Sequence, residues 1–123
     1  MSAIGVARAD IAALVEEATS VKGFAYLPER LVPPCAVVMP GATYIESGDT
    51  FGSFTARYTV DLVMGNAANS VSSSGLDDQL ENAIIALVNE GYSIEQVSQP
   101  YAMEVNNAAY LSATIQVTTK IRP

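Results

Sequence analysis

Apolar positions in this chain recur at two periods, and the switch from one to the other divides it into elements. Ala7, Ile11, Leu14, Val15, Ala18 and Val21 are spaced by three and four, with Arg8, Glu16, Glu17 and Lys22 falling between them. That spacing predicts an amphipathic helix from Ala7, with Gly23 as its stop. FAYLPERLVPP (24–34) then reads as an irregular connection, because its three prolines cannot donate ladder hydrogen bonds. CAVVM (35–39) is a short apolar strand closed by the turn dipeptide Pro40-Gly41, and Thr43–Glu46 is a weaker second strand.

A strict period of two follows. Phe54, Ala56, Tyr58, Val60, Leu62 and Met64 alternate with Thr55, Arg57, Thr59, Asp61 and Val63, so one face of a long strand meets a core and the other meets solvent. GNAANSVSSSG (65–75) reads as a loop ending in N-cap candidates, which puts Asp77 and Asp78 in the first turn of the next helix. Leu76, Leu80, Ala83, Ile84, Leu87 and Val88 form the apolar stripe of that helix, and Gly91 ends it. Ile85 lies off the centre of the stripe, where it is either covered by a loop or open to a partner.

The last third, YSIEQVSQPYAMEVNNAAYLSATIQVTTKIRP, divides into strands near Pro100 and at the Asn106-Asn107 turn. In its final strand Leu111, Ala113, Ile115, Val117, Thr119 and Ile121 share one face. The prediction is an α+β fold in the order α-β-β-β-α-β-β, a mostly antiparallel sheet with two helices packed on one face, as a single domain over residues 1–123.

Composition narrows the function more than the fold. Half of the 123 residues are hydrophobic, enough for a core without a disulfide or metal. A net charge of -7 repels phosphate backbones and anionic lipid, which argues against direct nucleic-acid or membrane-surface binding. Arg8, Asp10, Glu16 and Glu17 interrupt the first twenty residues, so neither a signal-peptide core nor a membrane span is expected there, and a cytosolic protein is.

With one cysteine and no histidine, the chain offers little chemistry. Cys35 lacks an imidazole to activate it and begins an apolar strand, where a free cysteine behaves as a small buried hydrophobe. Asp77 and Asp78 are adjacent on a helix and so do not converge on one substrate atom. Glu46 and Asp49, in IESGDTFG, lack the alternating ligand spacing of a calcium loop. These readings predict no enzyme, no cofactor and no metal site. Phe51 is different, an aromatic in a polar loop outside the strand period: it either anchors a partner or folds back on the core.

Across nearly the whole chain the layout resembles the tail terminator proteins of long-tailed actinobacteriophages, a kind of minor tail protein. The segments that carry this are ARADIAALVEEA (7–18), PPCAVVMPG (33–41), FTARYTVDLVMG (54–65), GLDDQLENAIIALVNEG (75–91), YSIEQVSQPYAMEV (92–105) and YLSATIQVTTKI (110–121). The likeness rests on size and order of elements, with no single diagnostic motif.

The resemblance implies a structural virion protein at the head-proximal end of the tail, assembled in the host cytoplasm. It would form a homo-oligomeric ring, a hexamer, that caps the tail tube, ends its polymerisation and joins it to the head–tail connector. Its partners would be further copies of itself, the tail tube protein and the connector. No membrane and no sequence-specific nucleic acid are implied, although DNA would pass through the ring. A closed head-to-tail ring needs two different complementary patches. The candidates are the low-charge strand faces, the loop bearing Glu46, Asp49 and Phe51, and Ile85. Alternative readings are a neck or head-completion adaptor, an α+β module that carries a small apolar ligand between sheet and helices, and, more remotely, an enzyme using Cys35.

Overall fold

A computed structural model describes residues 2–30, 32–48, 51–66, 70–105 and 107–122. Helix α1 (Ala3–Thr19) starts one turn earlier than its apolar periodicity predicts, because Ser2 caps it: the Ser2 hydroxyl accepts the Gly5 N–H at 2.9 Å. The helix stops at Ser20 and not at Gly23. Ser20 adopts a left-handed φ of 62°, and its N–H closes on the Glu16 carbonyl at 2.9 Å. Gly23 is needed for a close approach instead. It lies in β1 (Lys22–Phe24), which passes so near α1 that a Cβ there would sit 2.5 Å from the Ala12 carbonyl oxygen.

β1 pairs in parallel with the start of β2 (Cys35–Ser47), a three-residue strand where the end of the helix and the first residue of the irregular connection were expected. The Pro33–Pro34 peptide bond that precedes β2 is cis. Pro40-Gly41 does not turn the chain. β2 runs through it as one strand with a bulge: from Pro40 to Ile45 it advances five residues while its partner strand β3 (Phe54–Asn66) advances two, Tyr58 to Ala56. Proline is tolerated here because β1 pairs only with Cys35–Val37, which leaves Pro40 on an unpaired edge where no N–H is required.

Helix α2 (Ser70–Asn89) likewise extends further than predicted, taking in the serine-rich segment read as a loop. Asp77 and Asp78 therefore lie beyond its first turn, and the helix-dipole account of them fails. Its end is as expected. Gly91 takes φ 90°, Gly91 N–H bonds to the Val88 carbonyl at 3.1 Å and Tyr92 N–H to that of Leu87 at 3.0 Å, the paired bonds of a Schellman cap.

Three strands follow: β4 (Ser93–Val97), β5 (Tyr101–Val105) and β6 (Ala108–Ile121). The sheet runs β1-β2-β3-β6, with β4 and β5 placed end to end along the far edge of β6. All pairings except β1–β2 are antiparallel, so the fold is α+β with the two helices on one face of a mostly antiparallel sheet. The element order has three strands after α2, one more than predicted. Three precede it, as predicted, but β1 is new and β2 unites two.

Tyr58 sits at the centre of the helix-covered core, among Ile11, Val15, Leu62, Leu76, Leu87 and Ile115, all fully buried. Its phenol donates to the Ile4 carbonyl at 2.8 Å, and its ring meets that of Tyr44 edge to face. Gln79 joins the helices by donating to the Thr19 carbonyl at the end of α1.

Candidate interaction surface

The strand alternation that points Ala56, Tyr58, Val60 and Leu62 at the helices points their neighbours at the open face. Two unlike regions share that face. One is apolar: Cys35, Val37 and Val63 are buried beneath Phe24, Met39, Met103 and Tyr110. Val63 was expected to face solvent, and these long side chains folded over it are why it does not. Cys35 is the first, fully buried residue of β2, as predicted. Burial pushes its thiol pKa up, which lowers the thiolate fraction and makes it a poor nucleophile.

The other region is polar. The Thr114 hydroxyl donates to the Asp61 carboxylate at 2.8 Å and lies 3.1 Å from the Tyr101 hydroxyl. Burial pushes the Asp61 pKa up, and the Thr114 hydrogen bond offsets part of that. Nearer the hairpin, Arg57 donates to Glu46 at 2.6 Å and to Glu95 at 2.9 Å, linking β2 to β4 across the intervening strands. Glu46, proposed as an interface residue, is thus held in an intramolecular ion-pair cluster.

The remaining candidates are scattered. Phe51, in the turn between β2 and β3, is wholly exposed, which excludes folding back on the core. Asp49 lies outside the described residues. Ile85 is 52% exposed on the outer face of α2, so no loop covers it, and Val88, predicted to be in the buried stripe, is equally exposed one turn on. The fold therefore brings neither Glu46 nor Phe51 together with Ile85.

Arg8 was read as part of the outer polar face of α1 and is instead buried, with its guanidinium 4.4 Å from the Tyr26 ring centroid and 5.9 Å from that of Tyr44. Nothing in the helical period marks this, since Tyr26 arrives from the irregular connection. Tyr26, Leu27 and Val32 of that connection are themselves more than half exposed.

Between α1 and the turn that closes α2 lies a shallow cleft of about 420 Å³ lined by Asp10, Ala13, Leu14, Glu17, Glu90 and Tyr92. Among the described residues no group of three His, Cys, Asp or Glu side chains is placed to hold a metal, and no helix is long and apolar enough to cross a membrane. The chain matches no protein-family model, and no curated protein is significantly similar to it.

Proposed function

We propose that this chain is a ring-forming structural subunit of a long-tailed phage particle, a tail terminator that binds the end of the growing tail tube and presents to the head side a surface no further tube subunit fits. The reading rests on the resemblance in element layout. The observation that supports it best is Phe51: a fully exposed aromatic on the turn between two long strands is placed to act as an anchor in a subunit contact. The exposed Tyr26, Leu27 and Val32 of the connection before β2 offer apolar contacts away from Phe51 in the chain, and a closed head-to-tail ring needs two different patches. The ligand-carrying alternative requires space between sheet and helices, where Tyr58, Leu62, Leu76, Leu87 and Ile115 pack in one cluster.

The test is native mass with electron microscopy of the purified chain, alone and with tail-tube protein. Rings are expected, and Phe51→Ser is expected to give folded monomers that still unfold cooperatively, at a midpoint no longer dependent on protein concentration. In the phage, loss of the gene should give tails of uncontrolled length; full heads beside finished, unjoined tails would instead identify a neck adaptor, and a monomer that leaves tail length normal would overturn the reading.

A further inference from the structure

The charge of the chain is unevenly placed. Helices α1 and α2, with the turn that closes α2, carry seven of the thirteen carboxylates and a single basic residue, Arg8, which is buried. They account for -6 of the net -7, and α2 has no Lys or Arg at all. The sheet and its connections are nearly balanced.

On α2 the exposed residues Asp78, Glu81, Ile85 and Val88 follow one another at intervals of three, four and three. At 100° per residue they fall within an arc of about 80°, opposite the buried stripe of Leu76, Ala83 and Leu87. The N-terminal half of this stripe is acidic and the C-terminal half is aliphatic. Towards α1 a shallow cleft carries three further carboxylates, Asp10, Glu17 and Glu90, beside Ala13, Leu14 and Tyr92.

We propose that this outward face of the helical layer docks a protein partner with a basic, amphipathic surface, Ile85 and Val88 supplying apolar contact and the surrounding carboxylates supplying charge. The charge identifies the occupant. A second copy of this chain has few cations to offer: Arg57 pairs with Glu46 and Glu95, Lys120 and Arg122 are already engaged, and Arg8 is buried, which leaves Arg30 and Lys22, itself 3.8 Å from Glu16, to face seven carboxylates. Two such faces in contact would repel. Nucleic acid and anionic membranes are repelled for the same reason. The inference does not depend on ring formation, which would use the hairpin turn and the 25–34 connection on other surfaces.

A synthetic amphipathic helical peptide of Lys and Leu serves as the probe, titrated into the full chain and followed by amide chemical shifts. Shifts should map to the exposed positions of α1 and α2, and affinity should fall about tenfold or more between 50 and 300 mM salt. Asp78→Lys with Glu81→Lys should abolish binding. Ile85→Asn with Val88→Asn, which leaves the charge alone, should weaken it about tenfold, the size expected for two aliphatic contacts. All four positions are exposed, so thermal unfolding should barely change, and native mass should be that of the unmodified chain. The proposal is overturned if a Gln-for-Lys peptide or plain polylysine binds as tightly, if the shifts map to the sheet face, or if the aliphatic pair proves irrelevant. Self-association through this face, or tighter binding of duplex DNA or lipid vesicles, would overturn it equally.

Discussion

The two faces of the sheet are built from the same strands under the same alternation and have met different fates. Towards the helices, Ala56, Tyr58, Val60, Leu62, Ala113, Ile115 and Val117 are sealed under a second layer. On the open side, Cys35, Val37 and Val63 are buried only by their own neighbours, and the rest of the surface is Thr, Gln and ion pairs. A residue's burial is therefore no guide to how firmly it is held. What matters is whether its cover is a packed layer or a few side chains free to move aside.

Truncation on each face tests this directly. Leu62→Ala should cost about 3 kcal/mol in urea unfolding, the usual range for a sealed leucine being roughly 2–5. Val63→Ala, also fully buried, should cost about 1.5 kcal/mol, little more than the transfer of its two lost methyl groups, because Met103 and Tyr110 can settle into the space. Equal costs would mean that the open-face cluster is as rigid as the main core. Cys35 provides a second readout, since its alkylation should follow only the opening of that cluster.

The protected face should also have its own pH signature. Burial pushes the Tyr58 pKa up to about 12, against about 10 in an unfolded chain. The folded chain holds this proton where the unfolded chain has lost it, so stability falls as pH rises from about 10 to about 12, by at most about 1.4 kcal/mol per unit. Tyr58→Phe should flatten that slope relative to the parent while costing about 1 kcal/mol at neutral pH for the lost bond to Ile4.

The same contrast explains what the sequence made legible. β3, β6, the closing half of α2 and its Gly91 stop all have one side against a packed layer, and their periodicity shows it. What escaped depends on the absence of a neighbour or on one arriving from far along the chain. Pro40-Gly41 reads as a turn unless the edge beside it is known to be unpaired; the serines of 70–74 read as loop because their type favours caps over helix interiors. Gly23 was read as a helix stop, and only the passage of β1 against α1 reveals its role. Of the candidate surface, the exposure of Phe51 was one of two readings left open. The pairing of Glu46 with Arg57 and the burial of Arg8 were not foreseeable from spacing.

On the open face, Asp61 offers a smaller test. A raised carboxylate pKa means that the folded chain keeps a proton the unfolded chain has released, so stability falls as pH rises through the carboxylate range. Asp61→Asn keeps an oxygen that can accept from Thr114 and removes the buried charge. It should raise the melting temperature at pH 7 by about 2 °C, with the gain vanishing in acid as the parent Asp61 protonates. A gain that persists unchanged at low pH would show that desolvation of the carboxylate is not its source.

The smallest effect should come from the Glu46–Arg57–Glu95 cluster, which lies at the surface with all three side chains in part open to solvent. Arg57→Gln should lower stability only slightly at low salt and not measurably at 0.5 M, the behaviour of exposed ion pairs. Its consequence should be local. Glu95 stands at the register shift of β4, a five-residue edge strand otherwise held by one neighbour, whereas Glu46 belongs to a long strand fixed by its pairing with β3. Losing Arg57 should therefore speed amide exchange in β4 several-fold and leave β2 as it was. Equal loosening of both strands would show that the cluster clamps the whole open face and not just its weaker edge.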